Sequence, residues 1–192
     1  MAFDTNLGIL ETQEDVFSRI LSLDEHLKTL ELEGKFNDQL SFIIFGGTAL
    51  LLYSGYRVTS DIDCYYLSSI TIEEVQSIIA EHGVNNRIEN VMQFPEPEDF
   101  IGRSKEIFVS DQIEVRIASR EDLILSKLLS TRGTDRDEKD LIESDILDNV
   151  DLDYIREKFE EYKDFRIGAG VNFSSLDDII NERVKRREKI RV

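Results

Sequence analysis

A chain of 192 residues with 41% hydrophobic content, including 11 Phe and 6 Tyr, is long enough for one domain, or for a packed core carrying a helical appendage. Its single cysteine, Cys64, excludes a disulfide framework, and no basic-plus-apolar leader or bilayer-length apolar stretch is found, so a cytoplasmic, non-membrane protein is expected. A net charge of −17 argues against a general nucleic-acid-binding surface.

The first forty residues read as helical. Val16, Phe17, Ile20, Leu21, Leu23, Leu27 and Leu30 recur at spacings near three and four between Glu14 and Leu30, and Gly34 closes the run. Ser41 to Phe45 reads as a strand, Thr48 to Tyr53 as a short helix, and Ile62 to Leu67 as a second strand. Thr71 and Glu74 have capping-box spacing for a helix through Ala80. Asn86 to Phe94 reads as a further strand, and Pro95 and Pro97 mark a loop through Gly102. Lys105–Val109 and Gln112–Ile117 form a hairpin turning at Ser110-Asp111, with Ile113, Val115 and Ile117 on its apolar face. Ser119 then caps a helix over Leu123 to Leu129. Three more helices are expected: Glu138 to Leu147, Leu152 to Tyr162, and Leu176 towards the end, the last two separated by Gly168 and Gly170. These elements describe an α+β protein: a small mixed sheet with helices over residues 1–118, and a helical C-terminal region, 119–192, packed on it.

Chemistry concentrates between Phe45 and Tyr66, in FGGTALLLYSGYRVTSDIDCYY. Strand side chains alternate, so Asp61 and Asp63 share one face while Ile62 and Cys64 share the other. Two carboxylates ~7 Å apart along a strand suit divalent cations. A Gly-Gly turn opening a helix offers backbone N–H groups to a phosphate. With 40 acidic residues in the chain, Asp-x-Asp arises by chance, and Gly-Gly marks many turns. The ordered combination of strand, Gly-Gly-Thr, helix and Asp-Ile-Asp is the informative signal, and it is the equipment of phosphoryl or nucleotidyl transfer. Glu114, on the polar face of its strand, is the candidate third carboxylate for metal binding or proton transfer. The competing reading of Glu114 is a solvent-facing strand residue. His26 and His82 have no ligand spacing around them and are not read as catalytic.

The charge is uneven. Residues 183–191 carry six Lys or Arg against one Glu, so this segment is +5 and the remainder −22. It reads as a solvated helix end favoured by the helix dipole, or as a local contact for RNA or an acidic partner.

Three blocks carry a family resemblance: Gly46-Gly47-Thr48-Ala49-Leu50, then Tyr56-Arg57-Val58-Thr59-Ser60-Asp61-Ile62-Asp63, then Ser119 to Leu128 continuing to Arg132, Arg136-Asp137 and Asp140. Together with the apolar–Glu–apolar strand at Glu114, they resemble the nucleotidyltransferase superfamily of DNA polymerase beta-type fold. The chain is similar in particular to the AbiEii-like, or minimal, nucleotidyltransferases of prokaryotic toxin–antitoxin and phage-defence systems. The blocks span roughly residues 41–142.

The resemblance implies that Asp61, Asp63 and Glu114 are catalytic and hold Mg²⁺ (or Mn²⁺) on an NTP such as ATP. It further implies phosphate contacts from Gly46, Gly47 and Thr48, and a phosphate-neutralising Lys127, with Arg136 and Asp137 beside the site. Each has a plainer reading. Lys127 lies at the polar edge of a helix, Asp137 and Asp140 suit a helix first turn, and Arg57 and Thr59 suit loop fixation. Tyr65 shares the face of Asp63, bordering a nucleotide or packing as a half-buried strand residue. The implied acceptor is an RNA (tRNA) end or a hydroxyl on a partner toxin or antitoxin protein, and a small-molecule acceptor stays open. The alternative function is a non-catalytic antitoxin or scaffold of the same fold, whose acidic surface holds a basic partner.

Overall fold

The computed structural model describes residues 8–86, 97–130, 134–163 and 175–190. Helix α1 (Gln13–Leu32) opens on a capping box that periodicity alone did not reveal: the Thr12 hydroxyl accepts from the Asp15 N–H at 3.2 Å, and Asp15 Oδ2 accepts from the Thr12 N–H at 2.8 Å. Asp15 is consequently held below the ordinary carboxylate range, first by the Glu11 N–H and then by Thr12. The apolar stripe Val16, Ile20, Leu23, Leu27 and Leu30 is buried along one side of α1.

Strand β1 (Leu40–Ile44) runs into α2 (Gly46–Ser54), and β2 (Ile62–Tyr66) returns antiparallel beside β1. Helix α3 (Glu73–Glu81) leads into the short β3 (Val84–Asn85), and α4 (Pro97–Arg103) precedes the hairpin β4 (Lys105–Val109) and β5 (Ile113–Ile117). Helices α5 (Arg120–Leu128), α6 (Thr134–Glu143), α7 (Leu152–Tyr162) and α8 (Leu176–Ile190) complete the chain. The sheet is mixed and five-stranded in the order β3-β2-β1-β5-β4, with β1 parallel to β5 and β2 parallel to β3. The α+β class expected from the sequence is what the structure has.

Alternation divides the sheet into two faces. Leu40, Phe42, Ile44, Ile62, Cys64, Ile113, Val115 and Ile117 point to one side, where buried side chains of α1, α2, α3, α5, α6, α7 and α8 pack on them in a single cluster. On the other side Ile43, Phe45 and Ala118 meet Phe100 of α4, whose ring stands edge-to-face on Phe45 at 5.5 Å and on Tyr65 at 5.1 Å. Tyr65 is therefore a packed, half-buried strand residue.

Several local expectations are corrected. The Thr71–Glu74 capping box does not form: the N-cap of α3 is Ile72, with no side-chain bond, and Glu74 is drawn away to Lys35 at 3.0 Å. Of the loop expected from Pro95 through Gly102, Pro95 lies outside the described residues and 97–102 belong to helix α4, where proline at the first turn loses no intrahelical hydrogen bond. Helix α6 begins four residues before Glu138, and Ile146 and Leu147 enter the core from the turn beyond it. Of the strand expected at Asn86–Phe94, residues 87–94 lie outside the described residues, as do Gly168 and Gly170. Among the described residues no helix is long and apolar enough to cross a membrane.

Candidate active site

At the end of β1 the chain turns on Gly46, which adopts φ +59°, a left-handed conformation that side chains disfavour. The turn also needs a hydrogen at Cα for a second reason. A Cβ placed on Gly46 would lie 2.5 Å from Asp63 Oδ2, so the Asp63 carboxylate rests against the glycine. Gly47 is crowded from another side: a Cβ there would sit 3.3 Å from Arg57 Nε and 3.4 Å from the Thr59 Cβ. Phe45, the N-cap of α2, supplies no side-chain cap, and the first turn holds no acidic residue. The positive end of the α2 dipole thus opens beside the aspartates, with no acidic residue of its own first turn to meet it.

Asp61 and Asp63 are both partly buried. Asp61 is oriented from both oxygens: Thr59 Oγ1 lies 3.3 Å from Oδ1, and Asn85 Nδ2 donates to Oδ2 at 3.2 Å. Asn85 is also the register partner of Asp63 across the β2–β3 pair. Thr48 is fully buried and its hydroxyl donates to the Asp61 carbonyl at 2.7 Å, so it fixes the aspartate loop rather than presenting itself to a phosphate. From α1, Arg19 donates to the Ser60 carbonyl at 2.7 Å. Burial lowers the pKa of the Arg19 guanidinium, and the nearby charges of Asp61 and Asp15 work in the opposite direction.

Behind Gly47 lies a buried set of ions. Arg57 pairs with Asp140, Lys127 Nζ reaches Asp140 Oδ2 at 2.6 Å, and the same ammonium reaches Asp137 Oδ1 at 3.1 Å. The Lys127 side chain is only 3% exposed. It is therefore no solvated lysine at a helix edge, and Asp137 and Asp140 turn to it. Two cations and two carboxylates balance, which is what burial of charge requires. The neighbouring Tyr56 hydroxyl bonds Glu143, linking the same loop to α6 a second time.

Glu114 is not brought to this place. Its carboxylate accepts from Ser41 Oγ at 3.1 Å and from Arg116 at 3.1 Å, and Glu114 is level with Ser41 in the β1–β5 register. Asp63 is instead level with Phe45, whose N–H bonds the Asp63 carbonyl at 2.9 Å. Four residues of β1 separate the two levels, roughly 13 Å along the strand, with β1 itself between. The residue on that side nearest the height of Asp63 is Ala118, just beyond β5, whose N–H bonds the Ile44 carbonyl. The expected third-acid position of Glu114 is thus corrected to a structural pairing. Arg136 is exposed on α6 and joins no ion pair among the described residues.

Among the described residues no group of three or more His, Cys, Asp or Glu is placed to hold a metal ion. The hard-oxygen pair Asp61 and Asp63, beside a turn kept open by glycine, still fits a cation such as Mg²⁺, which binds through one or two carboxylates plus substrate phosphates.

A family model described as nucleotidyltransferase of unknown function (DUF6036) matches residues 18–188. The chain belongs to this family. No curated protein and no solved structure matches it. The span matched to the DUF6036 nucleotidyltransferases takes in the glycine turn, both aspartates and the Lys127 cluster, and reaches into α8. Of the residues that orient this DUF6036 site, Arg19 and Asn85 carried no local signal. Asn85 is recognisable only once β3 is paired with β2.

Proposed function

We propose that this nucleotidyltransferase is metal-dependent and moves NMP from an NTP to a hydroxyl of a macromolecular acceptor. The acceptor is an RNA (tRNA) end or a partner protein, in a toxin–antitoxin or phage-defence setting of the AbiEii-like kind. The observation that carries the reading is the contact of Gly46 with Asp63. It sets an uncapped helix start directly against a carboxylate pair, so one nucleotide can meet both through its phosphates.

Asp61 and Asp63 would hold Mg²⁺ or Mn²⁺ jointly with the triphosphate, where a divalent cation offsets charge developing at the α-phosphate. The N–H groups at Gly46 and Gly47 bind and orient the phosphates. Thr59, Asn85 and Thr48 hold Asp61 and its loop, so no reorganisation is needed when substrate arrives. The acceptor oxygen forms a bond to the α-phosphorus as the bond to the β-phosphate oxygen breaks. Its proton passes to an oxygen of the aspartate pair, and pyrophosphate leaves. Lys127 acts through the balanced cluster it forms with Asp137, Asp140 and Arg57.

Incubation with each α-labelled NTP, Mg²⁺ and total RNA or cell lysate tests the proposal. Label on RNA or on a protein band, absent with Asp61→Ala/Asp63→Ala, supports it and names base and acceptor. No label in any combination, with a stable partner complex indifferent to Asp61→Ala, favours the non-catalytic module.

A further inference from the structure

The loop that leads to Asp61 carries a cation whose bonding is half complete. Arg57 has a side chain only 15% exposed, and one terminal nitrogen is taken by Asp140. Among the described residues its Nε and its other terminal nitrogen form no hydrogen bond. Those two nitrogens make up one edge of the guanidinium, the planar two-donor fork that matches a phosphate. Nε is the guanidinium atom nearest to a Cβ built on Gly47, at 3.3 Å, so one end of that edge lies against the glycine turn. A guanidinium beside the positive end of a helix adds to the positive potential there, so an anion arriving at the glycine turn is met by both.

We propose that Arg57 is a specificity-determining residue that reads the terminal phosphates of the nucleotide, with Asp140 holding it in place. This rests on the transferase reading given above. Asp140 is shared with Lys127, so the guanidinium keeps its orientation while its free edge takes two oxygens of the β- or γ-phosphate. A nucleoside monophosphate has no oxygen at that position. Arg57 therefore makes the site prefer a triphosphate, independently of base and sugar.

Binding of the four NTPs, the corresponding NMPs and inorganic tripolyphosphate to the full chain in Mg²⁺ tests this, using wild type, Arg57→Gln and Arg57→Lys, with melting curves for each. Arg57→Gln is expected to weaken NTP and tripolyphosphate binding by about 10- to 100-fold, leaving NMP binding unchanged. Arg57→Lys restores the charge without the fork and falls between the two. Equal loss for NTP and NMP would mean that Arg57 merely supports the turn, and unchanged NTP affinity would mean that it touches no phosphate; either overturns the assignment alone. A wild type that binds neither NTP nor tripolyphosphate overturns the transferase reading, and Arg57 with it. If Arg57→Gln does not fold, the Arg57→Lys ratio of NTP to NMP affinity decides.

Discussion

Gly46 and Asp63 share one position in space: the carboxylate Oδ2 occupies what would be the contact shell of a Cβ on the glycine, 2.5 Å away. Gly46→Ala is therefore expected to cost about 1–2 kcal/mol for the left-handed backbone and, in addition, to push Asp63 aside and abolish transfer. Gly55 is the control. It has φ +63° with nothing within 4 Å of an added Cβ, so Gly55→Ala should show the backbone cost alone and keep activity. Thermal melts and a transfer assay on both variants separate the two effects.

Asp61→Asn and Asp63→Asn should each lower transfer by about 100- to 1000-fold, the scale seen when one preorganised electrostatic group is removed. Both residues are partly exposed, so the fold should survive. Circular dichroism alongside the assay checks that the loss is chemical.

Glu114→Ala should leave transfer nearly intact, because its partners are Ser41 and Arg116 and not the aspartate pair. The half-buried pair with Arg116 should cost no more than ~1 kcal/mol in urea unfolding. A collapse of activity in this variant would show that Glu114 does reach the reacting centre.

Lys127→Ala leaves Asp137 and Asp140 with one cation fewer inside the protein, and the cost should be about 3–5 kcal/mol. Lys139→Ala removes a lysine that is 62% exposed and paired with Glu143 at 4.0 Å, and should cost ~0–1 kcal/mol. Denaturant unfolding of the two variants ranks buried against surface charge.

His82 supplies a pH dependence. Burial lowers its pKa below the ordinary histidine value of about 6.5, against the opposing hydrogen bond to the Ile78 carbonyl, with His26 also lowering it. The unfolded chain then binds a proton that the folded chain resists. Stability is fully present above about 6.5 and declines as pH falls below it, down through the depressed folded value. Tm measured between pH 7.5 and 5.5 should fall on acidification, and His82→Asn should flatten that slope.

Much of this site was legible because its signals are local. Alternation placed Asp61 and Asp63 opposite Ile62 and Cys64, and Ser119 caps α5 by accepting from the Asp122 N–H at 3.0 Å, as the spacing suggested. Alternation also put Glu114 on the correct face, but period two says nothing about height along a neighbouring strand, and height is what separates Glu114 from Asp63. The family resemblance implied a phosphate contact from Thr48; its hydroxyl is claimed instead by the long-range Asp61 carbonyl. Lys127 could not be assigned from helical position alone, since its burial depends on α6 and on the Arg57 loop meeting behind Gly47.

The last helix bends its charge inward. Arg183 is buried and bonds Asp148 at 2.9 Å, Arg187 reaches the same carboxylate at 3.1 Å, and Arg186 pairs with Glu143 at 2.7 Å. Among the described residues, three of the cations between positions 183 and 191 are thereby paired with the chain's own acids. A polyanion docking along α8 would displace few condensed counterions, so its affinity would respond only shallowly to added salt. An RNA acceptor would then gain little of its hold from α8.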